Sequence, residues 1–125
     1  MPTPIRVLVD AVAFDARLFD GPTAQAIAAA LPIEDVGRTF GQSFYVETPV
    51  TAEIPEDSTD AVQIGDIAYW PAALALAFFY GPTPESAPDS DRPVAASEVE
   101  VVGELLAPEG LRALESFDRV RIERT

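Results

Sequence analysis

The chain has 125 residues, 48% of them hydrophobic, with a formal net charge of −13 at pH 7, which is enough apolar material for one folded domain and too much for a disordered tail. It contains no cysteine and no histidine, which excludes disulfides, thiolate nucleophiles, serine–histidine triads and the commonest metal centres. Twenty-one acids against eight bases also speak against nucleic acid and anionic membranes as partners, since both call for a basic patch.

In chain order, Val7 and Val9 alternate with Arg6 and Leu8 and predict a half-buried strand. Asp10 to Asp15 is expected to hold a turn, and Ala16 to Phe19 a second short strand. "DGPTAQAIAAALP" is the clearest helix: Asp20 or Thr23 is placed to cap it, Pro22 suits its first turn, and Pro32 ends it. Ile27 and Leu31, four apart, share its core face. "QSFYVET" predicts a strand with Phe44 and Val46 on one side and Tyr45 and Glu47 on the other. "VTAEI" continues the sheet after Pro49, and "PEDSTD" is an acidic turn. "AVQI" and "IAYW" flank Gly65-Asp66, a glycine-first hairpin signal. Pro71 ends that strand because it cannot donate to a ladder.

Ala75 to Tyr80 reads as a buried strand, paired with the one before it through a turn at Pro71 to Leu74. Its alternation sets Leu76, Phe78 and Tyr80 on one face and Ala75, Ala77 and Phe79 on the other, so that at most one set is expected to be core in an ordinary barrel. "GPTPESAPDSDRP" is a loop; "SEVEVVGELL" is a strand alternating Val99 and Val101 with Glu98 and Glu100. "PEGLRALESF" is a short helix with Pro108 in its first turn, and "DRVRIER" is a closing strand with Val120 and Ile122 inward. Many short strands with two short helices predict a mainly β fold, a barrel or a sandwich.

"GDIAYWP", "ALAFFYGPTP", "VEVVGEL" and "LRALESF", in this order, resemble the small prokaryotic cyclophilin-like family. "DGPTAQAIAAALP" looks like that family's early helix, and "ALPIEDVGRTFGQSFYVETPV" is similar to its entry into the next strand. The resemblance spans most of the chain. It implies a single domain over residues 1–125, a closed, mainly antiparallel β-barrel with helices at its ends. Cyclophilins proper isomerise prolyl bonds with an arginine beside aromatic and glutamine residues. Here Phe79 or Tyr80 could stand for the groove phenylalanine, but "SFYVET" carries no arginine, the histidines have no counterpart, and Arg38 is only nearby in sequence. The resemblance therefore implies no catalytic residue.

A non-catalytic module that binds a small molecule or a proline-containing peptide is the expected function, with Trp70, Phe79, Tyr80 and Thr83 as candidate ligand-binding residues; core packing of the aromatics and a plain strand exit at the Thr83 turn are the competing readings. A weak prolyl isomerase and a structural protein that pairs into a homodimer are the alternatives. Glu85, Asp89 and Asp91, like Glu53, Glu56, Asp57 and Asp60, lack metal-site spacing and read as solvated carboxylates. No metal or cofactor is expected.

The longest uncharged run, Ile67 to Pro84, is broken by Pro71, Gly81 and Pro82, whereas a spanning helix needs about 20 predominantly apolar residues. "MPTPIRVLVD" lacks the ordered parts of a signal peptide, so a cytoplasmic setting is expected. All eight bases are arginine and none is lysine. This resembles the proteins of salt-in halophiles, where molar salt cuts the Debye length to about 3 Å and screens self-repulsion. Dilution from molar potassium chloride to low salt should lower the melting temperature. A flat or rising trend would refute the halophilic reading.

Overall fold

The computed structural model describes residues 1–56 and 58–125. Strands β1 (Thr3–Val9) and β2 (Val12–Leu18) form a hairpin in which Val9 pairs with Val12. The turn is therefore Asp10 and Ala11 alone, not the longer turn to Asp15. Asp10 takes φ 53°, which aspartate tolerates, and the tight turn lets strand pairing begin at once. Ile5, Val7, Val9, Phe14, Ala16 and Leu18 point to the core.

Helix α1 (Pro22–Ala30) starts with Pro22 and buries Ile27, as expected. Its cap is Gly21, without a side-chain hydrogen bond. Asp20 precedes the cap, while Thr23 lies inside the helix and is buried, so neither serves. Leu31 is only partly buried, because the helix has ended there.

The remaining strands are β3 (Ile33–Asp35), β4 (Arg38–Thr39), β5 (Ser43–Glu47), β6 (Thr59–Ala61), β7 (Asp66–Trp70), β8 (Ala75–Phe79), β9 (Val94–Leu105) and β10 (Val120–Arg124). They form one sheet ordered β3-β10-β1-β2-β9-β7-β8-β5-β4, with β6 attached to β9. Every pairing is antiparallel. The fold is thus mainly β. Besides α1 the described residues form two 3-10 turns, Pro71–Ala73 and Pro108–Ala113, the second standing where the second short helix was expected.

Three local expectations change. "VTAEI" is not a strand: the hydroxyl of buried Tyr69 donates to the Val50 carbonyl (2.9 Å) and accepts from Ala52 N–H (3.3 Å). A side chain, not a ladder, satisfies that backbone. Gly65 (φ 99°) does turn the chain, but "AVQI" makes no hairpin with β7, because both edges of β7 are already taken by β8 and β9. In β9 the pairing slips between Ile67↔Gly103 and Ala68↔Val101. The extra residue at this bulge, Val102, turns into the core and leaves Val101 exposed. The turn at "PEDSTD" is visible as Ser58 N–H bonded to the Pro55 carbonyl; Asp57 lies outside the described residues.

The expectation of one core face on β8 is also corrected, since all five of its residues are buried. Leu76 and Phe78 face the main core, where Phe78 and Phe117 each stack on Phe44 at 4.6 and 4.8 Å. Ala77 and Phe79 face a second, outer cluster with Val62, Ala68, Ala95 and Val99. A strand can bury both faces when another layer covers it, and here the first half of β9 and β6 supply that cover.

The sheet path ends at β3 and β4, and no ladder joins these two strands among the described residues. Yet only Val36 and Gly37 separate them in the chain. Other bonds hold this seam: Gly37 N–H to the Phe117 carbonyl (2.7 Å) and Glu47 N–H to Asp35 Oδ2 (3.0 Å). No described helix is long and apolar enough to cross a membrane.

A Cβ at Gly37 would lie 2.7 Å from Phe117 Cβ and 2.9 Å from its carbonyl oxygen. Gly37→Ala should therefore destabilise the fold by about 1–3 kcal/mol, the usual range for overpacking. Urea unfolding in molar salt measures it; a change under about 0.5 kcal/mol, the usual surface level, would show that the seam has slack.

Candidate functional site

Alternation places Ser43, Tyr45, Ala77, Phe79, Ala68 and Trp70 on the outer face of β5, β8 and β7, as the cross-strand pairs Ser43↔Phe79, Tyr45↔Ala77, Ala77↔Ala68 and Ala75↔Trp70 require. The three alanines make a low floor. Tyr45, Trp70 and Phe79 rise around it as walls. Tyr45 meets Trp70 edge to face, with ring centroids 5.2 Å apart at 80°, a favourable aromatic geometry.

The roof is the first part of β9, which crosses this face. Trp70 Nε1 donates to Ser97 Oγ at 2.6 Å. Thr83 Oγ1 donates to the Val94 carbonyl, and Ser86 Oγ donates to the Arg92 carbonyl at 2.7 Å. These bonds pin the arm down. Between roof and floor about 10 Å³ remains free, room for a single water.

Of the four sequence-predicted site residues, Trp70 and Phe79 come together on this trough. Tyr80 does not. It lies on the inner face, with its ring 6.5 Å from Phe44 and 6.1 Å from Phe117. Burial pushes its hydroxyl pKa up, and its carbonyl accepts from Arg112 Nε at 3.0 Å. Thr83 is buried as part of the clamp on the arm. Sequence reasoning missed Tyr45, Phe40 and Ser97. Tyr45 was legible, since it alternates with core residue Phe44; nothing local marks the other two.

Polar groups gather at the β4–β5 edge of the trough. Arg38 pairs across the strands with Tyr45, and Glu47 follows Tyr45 by two residues. Asp35 sits between them, accepting from Arg38 Nη1 (3.3 Å) and from Glu47 N–H. Partial burial raises the Asp35 pKa, but these two bonds, one from Val36 N–H and the Arg38 charge outweigh it and hold it below the usual carboxylate range. Away from the trough, at the start of β7, the Asp66 pKa is raised, chiefly by burial and then by Glu104, against the opposing hydrogen bond from Gln63 N–H and the Arg92 charge. Glu53, Glu56, Asp60, Glu85, Asp89 and Asp91 are exposed. Among the described residues no group of three acidic side chains is placed to hold a metal ion. The trough offers aromatic surface, hydroxyls and one mixed-charge edge.

A family model described as cyclophilin-like matches residues 3–123. The solution structure of the hypothetical protein AF2241 from Archaeoglobus fulgidus is similar, with 34% identity and TM-score 0.79 over 99% of this chain and 95% of that one. The structure of McbB in complex with tryptophan has TM-score 0.69 at 16% identity. It matches 98% of this chain, which spans 44% of McbB, and the likeness is one of fold alone. No curated protein matches the chain.

Because the Asp35 pKa is depressed in the folded state, its ionised form stabilises the fold at neutral pH, and that contribution disappears as pH falls through the folded value. Asp35→Asn should lower the unfolding midpoint at pH 7, with the gap to the parent closing in acid. An equal gap at pH 7 and pH 3 would contradict this.

Proposed function

We propose that this chain, which belongs to the cyclophilin-like family, is a non-catalytic module that binds a ring-bearing small molecule at Tyr45, Trp70 and Phe79. The observation that carries this reading is the partly buried Trp70, set beside Tyr45 over an alanine floor on the opposite face of the sheet from the stacked main core. The free space is too small for a ring, so the ligand enters by displacing the Trp70 indole or the arm that Ser97 ties to it. Breaking that hydrogen bond costs about 1 kcal/mol net, and the ligand ring must also make up the apolar contacts that the displaced indole or arm gives up.

That McbB was solved with tryptophan makes an aromatic amino acid a sensible first probe. The same reading treats the sheet as a barrel whose seam is the Ile33–Thr39 segment, closed by chain and side chains. It places the module in a salt-rich cytoplasm, in keeping with the acid excess and the lack of lysine.

Weak prolyl isomerisation is the second reading, favoured by one observation: Arg38 stands directly across from Tyr45 at the trough's edge. A proline test peptide in molar potassium chloride should then isomerise faster than its uncatalysed timescale of tens to hundreds of seconds. No acceleration would dispose of it.

Trp70 is the only tryptophan, so its fluorescence reports the site directly. Titration with phenylalanine or a proline-containing peptide should give a saturable change, weakened roughly tenfold by Tyr45→Ala, as expected for losing one aromatic contact. A flat titration with both probes up to millimolar concentration would reject the binding module.

A further inference from the structure

We infer that the ligand is a free aromatic amino acid, its carboxylate held by Arg38 and its ammonium by Glu47 while its ring lies against Tyr45 and Trp70. This rests on the binding reading above. Arg38 and Tyr45 are direct cross-strand partners and so share the outer face. Glu47 lies two residues beyond Tyr45 on β5, on the same face and roughly 7 Å along the strand. One cationic and one anionic group therefore flank the wall of the trough.

The two are held in register with each other. Asp35 accepts from Arg38 Nη1 and from the Glu47 backbone, which fixes the guanidinium against the strand that carries Glu47. Nη1 also reaches the Val36 carbonyl, while Nε and Nη2 make no hydrogen bond among the described residues. The Glu47 carboxylate is exposed and has no ion-pair partner among them. Arg38 is ion-paired with Asp35, as Arg17, Arg119 and Arg121 are with glutamates. Arg38 and Glu47 face the same way without pairing with each other.

At the low salt of the titration net charge bears on the ligand's charge type, whereas in molar salt a Debye length of about 3 Å screens it and leaves the choice to the local pair. A chain at −13 repels a simple anion over the range of its field and attracts cations without discrimination. A zwitterion is neutral overall and feels neither effect, so its binding depends on the local pair. The α-ammonium and α-carboxylate of an amino acid supply both charges next to the ring, and a guanidinium fork suits a carboxylate.

Four probes of one ring separate the outcomes: phenylalanine, phenethylamine, 3-phenylpropionate and N-acetylphenylalaninamide. They are titrated at the lowest salt that keeps the protein folded, and read by Trp70 fluorescence and calorimetry. Phenylalanine should bind tightest, roughly tenfold above the amide, the scale of one charged hydrogen bond. Arg38→Gln should remove that advantage while leaving phenethylamine unchanged. Glu47→Gln should do the same while leaving 3-phenylpropionate unchanged; it also preserves the Arg38–Asp35 pair, so it remains informative if Arg38→Gln loosens the seam. Equal affinity for phenylalanine and the amide would overturn the zwitterion assignment and leave the ring-binding module standing. Phenethylamine binding tightest would overturn it as well, in favour of general attraction of cations. Binding of none of the four would overturn both readings.

Discussion

Strand β8 has no solvent-facing side, and the rest of the molecule is arranged around that fact. Its five residues are buried on both faces, so something must cover each. On the inner face, Leu76 and Phe78 meet large partners, and the stack of Phe78, Phe44 and Phe117 fills the space between sheet and seam. On the outer face the residues are mostly alanine, too small to exclude water alone. The arm of β9 with β6, the Trp70 indole and the Tyr45 ring close over them. An aromatic trough with an alanine floor follows from covering a strand of unequal faces.

The second constraint is the seam. Both ends of the sheet path fall within one short segment, Ile33–Thr39, so the chain itself joins what no ladder joins. Gly37 makes this tight approach feasible, since Phe117 occupies the space a side chain would need. Asp35 then ties the seam to β5 through Glu47 N–H and orients Arg38. The carboxylate that accepts from β5 is the one that accepts from Arg38. Structure and proposed recognition meet at one carboxylate.

Much of this was legible from residue patterns. Val7 with Val9, Phe44 with Val46, and Val120 with Ile122 announced their strands by alternation, and Pro22 and Pro32 bracketed α1. Pro71 stopped β7 where a missing N–H predicts. The illegible parts were set by distant partners. No local pattern says that β9 occupies the edge of β7 that "AVQI" would need, or that a bulge exchanges Val101 for Val102. The Tyr69 hydroxyl that claims the backbone of "VTAEI" lies seventeen or more residues away. At the site, composition drew attention to Trp70 and Phe79, and the fold unites them. Tyr80 and Thr83 drew attention by the same proximity in sequence, but alternation turns Tyr80 inward and the loop turns Thr83 into a clamp. Alternation already set Glu47 on one face with Tyr45, and the register adds that Arg38 stands across from Tyr45.

The central claim is that ligand recognition belongs to the outer face of β5, β8 and β7 and not to the filled core beneath it. Amide chemical-shift mapping during a phenylalanine titration tests this most directly. The account predicts shifts concentrated at Arg38, Tyr45, Glu47, Trp70, Ala77 and Ala95 to Ser97, with Phe78, Tyr80, Arg112 and Phe117 unmoved. Shifts centred on Tyr80 and Arg112, or none at all, would contradict it.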